Sequence, residues 1–161
     1  MADTPSAIGL TVPDFSAAMT SGKTFRLSEF KGKNIVLFFY PKDNTPGCAA
    51  ESMAFRDLYP RFQSENAEIF GISRDSIRSH EGFKAKLAMP FELISDPDET
   101  ICMLFNVMRE KNMYGKKVRG VERSTFIIDA AGTLVKEWRA VAVPGHVEQV
   151  LRFLVSTNKK S

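Results

Sequence analysis

One passage limits what this chain can fold into more than any other. The apolar run Asn34-Ile35-Val36-Leu37-Phe38-Phe39-Tyr40 gives way to Pro41-Lys42-Asp43-Asn44-Thr45-Pro46-Gly47-Cys48. A short run of β-branched and aromatic residues bounded by a turn is a buried strand. Thr45 is a good N-cap and Pro46 a favoured first helical residue, so a helix begins directly after the turn with Cys48 in its first turn. Backbone N–H groups point outward at such a terminus and the helix dipole is positive, which favours a thiolate over a thiol.

The remaining segments fit around that strand-turn-helix unit. Residues 14–30 read as a hairpin turned at Ser21-Gly22-Lys23 and closed by Leu27-Ser28-Glu29-Phe30. Phe55, Leu58, Tyr59 and Phe62 recur at helical spacing behind Cys48, with Pro60 expected to kink or shorten the helix. A second buried strand, Ala67–Ser73, leads into a polar helix ending near Lys86, and Phe91–Ile94 is a short strand. Ser95-Asp96-Pro97-Asp98 is expected to open a further helix, with proline in its first turn. A basic loop is expected over residues 106–122. After it come a hairpin, Ser124–Asp129 with Thr133–Trp138, and a last helix over about 146–156 with Val147, Val150, Leu151 and Leu154 as its apolar stripe. This alternation predicts an α/β chain with a mixed central β-sheet flanked by helices, the thioredoxin-like fold.

Length and composition set the class. The 161 residues are expected to form one domain, 1–161, whose core needs no disulfide staple. Two cysteines, no membrane-length apolar stretch and no signal-peptide pattern point to a reducing cytoplasmic setting without membrane attachment. The net charge of +3 comes from 22 basic and 19 acidic residues that are interspersed, which argues against a nucleic-acid partner. Lys159-Lys160 reads as a solvated tail. His80 and His146 read as surface residues, and no His/Cys/Asp group has metal-ligand spacing in sequence, so neither metal nor cofactor is expected.

The chemistry then turns on Cys48. Lowering a thiol pKa by enough to ionise it at neutral pH takes about 3 kcal/mol. A helix terminus supplies roughly 0.3–2 kcal/mol, so a cation or further hydrogen bonds must supply the rest. The neighbouring Cys48-Ala49-Ala50-Glu51 lacks the paired thiol of a disulfide oxidoreductase, and no histidine lies near for acyl transfer. Attack on a peroxide oxygen remains, provided that donors stabilise the charge moving onto the leaving oxygen.

The spacing Pro41-x-x-x-Thr45-x-x-Cys48 resembles the peroxiredoxin active-site motif, and Tyr40–Cys48 is similar to the bacterioferritin comigratory (Q-type) branch of that family. Gly71-Ile-Ser-Arg-Asp-Ser76, Pro90-Phe-Glu-Leu-Ile-Ser-Asp96 and Arg123-Ser-Thr-Phe-Ile-Ile-Asp129 extend the resemblance over residues 5–155. It implies a thiol-dependent peroxidase with Cys48 as the peroxidatic thiolate. Thr45 would hydrogen-bond thiolate and peroxide, Pro41 would shield the sulfur from water, and Arg123 would be the missing cation. The N–H groups of Cys48 and Gly47 would complete the donor set, and Glu51 would orient the surrounding polar network.

The chain departs from the family it resembles in lacking the second thiol that many of those proteins carry. Met53 stands five residues after Cys48, where many relatives carry a resolving cysteine, and Phe83-Lys84-Ala85-Lys86 has none either. Cys102, in the apolar stretch Thr100–Phe105, reads as a core residue, and its use as a resolving thiol is disfavoured. The expectation is a one-cysteine mechanism in which thioredoxin, or glutathione with glutaredoxin, removes the oxidation. Hydrogen peroxide and organic hydroperoxides are the expected substrates, and the resemblance leans toward a monomer. A redox sensor or holdase that is oxidised without efficient turnover is the alternative. The basic loop beside these residues is expected to be solvated, with reception of an anionic thiol as its functional alternative.

Overall fold

The computed structural model describes residues 6–159. Strands β1 (Ser16–Met19) and β2 (Lys23–Arg26) form the first hairpin, followed by a 3-10 turn at Leu27–Phe30. Then come β3 (Asn34–Phe39), helix α1 (Pro46–Ser64), β4 (Ala67–Ser73), α2 (Ile77–Leu87) and β5 (Glu92–Ser95). The second half adds α3 (Thr100–Leu104), β6 (Met108–Met113), β7 (Lys116–Val121), β8 (Ser124–Ile128), β9 (Leu134–Trp138) and α4 (His146–Lys159). Seven strands make one sheet in the order β2-β1-β5-β4-β3-β8-β9, while β6 and β7 pair apart from it. β3, β4 and β5 are parallel, and β8 and β9 add antiparallel strands on one side as β1 and β2 do on the other. The fold is thioredoxin-like, as expected.

Strand β3 is buried on both faces because its side chains alternate between two cores. Ile35, Leu37 and Phe39 join Phe25, Ile101, Cys102, Phe105 and Phe126 on one face. Val36 and Phe38, with Tyr40 beyond the strand's end, join Cys48, Phe55, Phe62, Phe83, Val147 and Leu151 on the other, under α1, α2 and α4. Close packing here depends on Gly71, where a Cβ would lie 2.7 Å from the Phe38 ring and 2.8 Å from Leu93.

Four expectations about the elements need correction. Pro60 does not cut α1 short, and the helix continues past it to Ser64. Proline removes only one hydrogen bond, that to the Arg56 carbonyl, and at an exposed position the helix tolerates it. Helix α3 begins at Thr100 rather than at the proline, because Glu99 adopts a left-handed backbone with φ of 63°. The Asp96 carboxylate caps it instead, accepting from the N–H groups of Ile101 (3.1 Å) and Cys102 (2.7 Å). The expected basic loop is largely the β6–β7 hairpin, turned at Tyr114-Gly115 with φ of 53° and 78°. Both its faces are polar and its outer part is exposed, so it lacks the alternation that marks a strand. Helix α4 runs past residue 156 to Lys159; Lys160 of the expected tail lies outside the described residues.

Candidate active site

Topology brings the site together. Helix α1 starts from the turn after β3, and Arg123 immediately precedes β8, which runs antiparallel to β3 with Phe39 opposite Ser124. Cys48 and Arg123 are therefore delivered to the same end of the sheet from sequence positions far apart. Thr45 occupies the N-cap with an extended backbone (φ −90°, ψ 151°), and its carbonyl takes the first helical bond from Ala49 N–H at 2.8 Å. Helical geometry gives the N–H groups of Gly47 and Cys48 no partner within the helix.

Cys48 is 1% exposed, and the guanidinium of Arg123 reaches its sulfur with Nη2–Sγ of 3.4 Å. The other arm of the fork donates from Nη1 to Glu51 Oε1 at 2.8 Å. Arg123 thus holds the sulfur and a carboxylate one helical turn apart, a geometry that its planar fork fixes. Burial pushes the Glu51 carboxyl up to about 7, against the charge of and hydrogen bond from Arg123. Its Oε2 is buried without a hydrogen-bond partner among the described residues. Gly47 eases the approach of the guanidinium, since a Cβ there would stand 3.1 Å from Arg123 Nη2.

Of the other expected site residues, Thr45 differs from expectation in its hydrogen bond. The Thr45 hydroxyl donates to the Lys42 carbonyl at 2.9 Å rather than to the sulfur, because the turn carries that carbonyl within reach. This leaves its oxygen lone pairs as acceptors. Pro41 is exposed, and the sulfur belongs to the apolar cluster of Phe38, Tyr40 and Phe55. Cys102 lies in the opposite core, across the sheet from Cys48. Facing layers stand about 10 Å from a sheet, whereas a disulfide needs Cα atoms within roughly 7 Å. Burial, then the Asp96 carboxylate beside it, pushes the Cys102 thiol far above its ordinary range.

Both histidines are buried, contrary to the expectation of surface residues. His146, 3% exposed, pairs through Nε2 with Thr125 Oγ1 at 2.7 Å and stands edge-on to Trp138. Burial, reinforced by the Arg123 charge, lowers its pKa to about 4, with Glu148 acting against this. His80 is fully buried on α2 and bonds Asp43 Oδ2 through Nδ1 at 2.8 Å and the Ile94 carbonyl through Nε2 at 3.0 Å. Tyr40 (2.7 Å) and Ser79 (2.8 Å) also donate to the Asp43 carboxylate, whose own N–H donates to Asp75 Oδ2 at 2.9 Å. Burial pushes the Asp43 carboxyl up, but the bonds from His80, Tyr40 and Ser79 and the His80 charge outweigh it and hold the group below its usual range. Asp43, Asp75 and His80 each offer a ligand atom within 4.8 Å of the others, a grouping that their sequence spacing conceals. One signal did exist: His80 and Phe83 are three apart and share the inward face of α2.

A thioredoxin-like sheet that presents a buried cysteine at a helix N-terminus, with a guanidinium against its sulfur, defines a class of thiol-based oxidoreductases. Residues 8–137 match the AhpC/TSA family. Peroxiredoxin Bcp of Xanthomonas campestris is 45% identical over 147 residues, covering 91% of this chain and 92% of the relative. Peroxiredoxin Bcp of Bacillus subtilis is 44% identical over 153 residues, covering 95% and 98%. Among solved structures, a Xylella fastidiosa PrxQ mutant superposes with a TM-score of 0.91 at 41% identity, covering 97% of this chain and 99% of that one. The X. campestris bacterioferritin comigratory protein, studied for its alkyl peroxide reduction, gives 0.86 at 44% identity, covering 89% and 91%. The chain belongs to the AhpC/TSA family, as a peroxiredoxin of the Bcp, or Q-type, branch. It is a thiol peroxidase. Among the described residues, no helix is long and apolar enough to cross a membrane.

Proposed function

We propose that Cys48 is the peroxidatic residue and that it works without a second thiol of its own chain. The thiolate sulfur attacks one oxygen of the hydroperoxide and forms an S–O bond as the O–O bond breaks. The leaving oxygen takes the bonding electron pair and then a proton, departing as water or an alcohol and leaving Cys48 as sulfenic acid. The observation that carries this reading is the 3.4 Å approach of Arg123 Nη2 to Cys48 Sγ at the start of α1. A guanidinium there can hold peroxide oxygen beside sulfur and meet the charge that develops on the leaving oxygen. The N–H groups of Gly47 and Cys48 are the further donors. Thr45, with its hydroxyl proton turned to Lys42, serves as acceptor for the proton of the entering peroxide. Pro41 shields the sulfur from water, and its fixed φ braces the turn's backbone. Glu51 orients Arg123.

The opposite-face location of Cys102 supports an external reductant. A thiol, from thioredoxin or from glutathione with glutaredoxin, would attack the sulfenic sulfur, release water and leave a mixed disulfide for a second thiol to resolve. Organic hydroperoxides join hydrogen peroxide as substrates by analogy with the alkyl peroxide reduction of the X. campestris relative. Stopped-flow oxidation followed by mass spectrometry tests the scheme. Sulfenic acid at Cys48, turnover only with added thiol and a mixed disulfide are expected. A dominant Cys48–Cys102 disulfide overturns the one-cysteine scheme, and consumption of a single equivalent of peroxide with no regeneration makes the protein a sensor.

A further inference from the structure

The turn that delivers Cys48 is held at one residue, Asp43, from two directions. Its side chain accepts from Tyr40 at the end of β3 and from Ser79 and His80 on α2. Its backbone N–H donates to Asp75, whose carboxylate is in turn bonded by the Ser73 hydroxyl. Asp43 is 4% exposed and His80 fully buried, so water does not compete for these bonds. The second ring nitrogen of His80 is anchored to the Ile94 carbonyl of β5, which fixes the ring's orientation against the sheet. Only Asn44 to Gly47 separate Asp43 from Cys48, and Asn44 already occupies the left-handed region with φ of 65°. A displacement of Asp43 is therefore passed along a short, constrained turn to the sulfur. The 3.4 Å contact with Arg123 has little tolerance for it, because that guanidinium is tied to Glu51.

We propose that His80 is a positioning residue for the peroxidatic step. Through its bond to Asp43 it fixes the 41–47 turn, so that the Cys48 sulfur meets Arg123 and the peroxide in line. The idea rests on Cys48 being the peroxidatic residue. His80 touches neither sulfur nor substrate, and its effect is confined to the rate of sulfur oxidation.

Two substitutions separate this role from mere packing. His80→Asn places an amide nitrogen where Nδ1 stands, keeping a donor to Asp43 and losing the one to Ile94. His80→Gln places it near Nε2, keeping the Ile94 bond and losing Asp43. The second-order rate of Cys48 oxidation by hydrogen peroxide is measured by stopped flow, with the urea midpoint of each variant alongside. His80→Asn is expected to stay within about threefold of the wild type, and His80→Gln to lose about tenfold to a hundredfold, as a displacement of roughly 1 Å would cause. Equal losses in both, the reverse order, or losses that follow the fraction unfolded overturn the proposal. Should His80→Gln fail to fold, Asp43→Asn keeps the shape of the side chain while weakening the bond from His80. It is expected to lose about threefold, and an unchanged rate overturns the proposal equally. A wild type that does not react with peroxide at Cys48 would defeat the functional reading itself. Reaction in the wild type with no difference among the variants defeats only the role of His80.

Discussion

The two cysteines are almost equally buried, at 1% and 0% exposure, yet their surroundings are opposite in sign. Cys48 stands at the N-terminus of a long helix with a guanidinium 3.4 Å away. Cys102 sits in the short helix α3 beside the Asp96 carboxylate, which disfavours its ionisation beyond the effect of burial. Exposure therefore does not distinguish the two sulfurs in this molecule. The sign of the nearest charge does, and the sheet between the two sulfurs keeps the environments separate. A buried cysteine can serve catalysis when its charge complement is buried with it.

The largest expected effect breaks the comparison outright. Cys48→Ser is expected to abolish peroxide consumption, while Cys102→Ser leaves the rate within about twofold, since Cys102 shares no partner with the site. Steady-state consumption with added thiol measures both, and loss of turnover in Cys102→Ser would return that residue to the mechanism. Next is Arg123→Met, which removes the charge that distinguishes the two sites. Oxidation is expected to slow by about 10²–10³, the range for removing a donor from a developing oxyanion. An unchanged stopped-flow rate would take Arg123 out of the site. Gly47→Ala should have a smaller effect of about threefold to tenfold, because the methyl group moves the guanidinium by only a few tenths of an ångström. The same substitution at Gly82, where a Cβ meets nothing within 4 Å, serves as the control.

How much of this was legible in the sequence follows from what each feature rests on. The β3–turn–α1 unit was readable because a continuous apolar run, an N-cap residue and a proline are local signals. Arg123 was placed by resemblance; its spacing from Cys48 carries no geometric information until β8 is known to pair antiparallel with β3. The β6–β7 hairpin escaped because strands polar on both faces lack periodicity. Helix α3 was misplaced because Asp96 caps through a left-handed turn rather than as the immediate N-cap. The histidines were misjudged for a related reason. Asp43 and His80 are 37 positions apart and meet only because β4 and α2 follow the parallel crossover from β3. Buried polar pairs are tertiary facts, whereas apolar stripes such as that of α4 are local ones.

The smallest expected effect sharpens the electrostatic side of the comparison, since two titrating groups face Arg123 with opposite slopes. Glu51 titrates at about 7 in the folded protein against an ordinary 4.5, because burial outweighs the pull of Arg123. Between these values the folded state binds more protons than the unfolded chain, so stability falls as pH rises from 4.5 to 7. His146 titrates at about 4 against an ordinary 6.5, owing first to burial and then to Arg123. There the unfolded chain binds more protons, so stability rises with pH from 4 to 6.5. Neither residue is among the causes acting on the other, so the two slopes add and nearly cancel in the wild type. Glu51→Gln should leave the rise due to His146. His146→Gln, which keeps an amide nitrogen for Thr125, should leave the fall due to Glu51. Each slope amounts to about 3 kcal/mol across its window. Urea unfolding at both ends of these windows measures the effect, and slopes of the same sign in the two variants would show that burial does not shift the two groups in opposite directions.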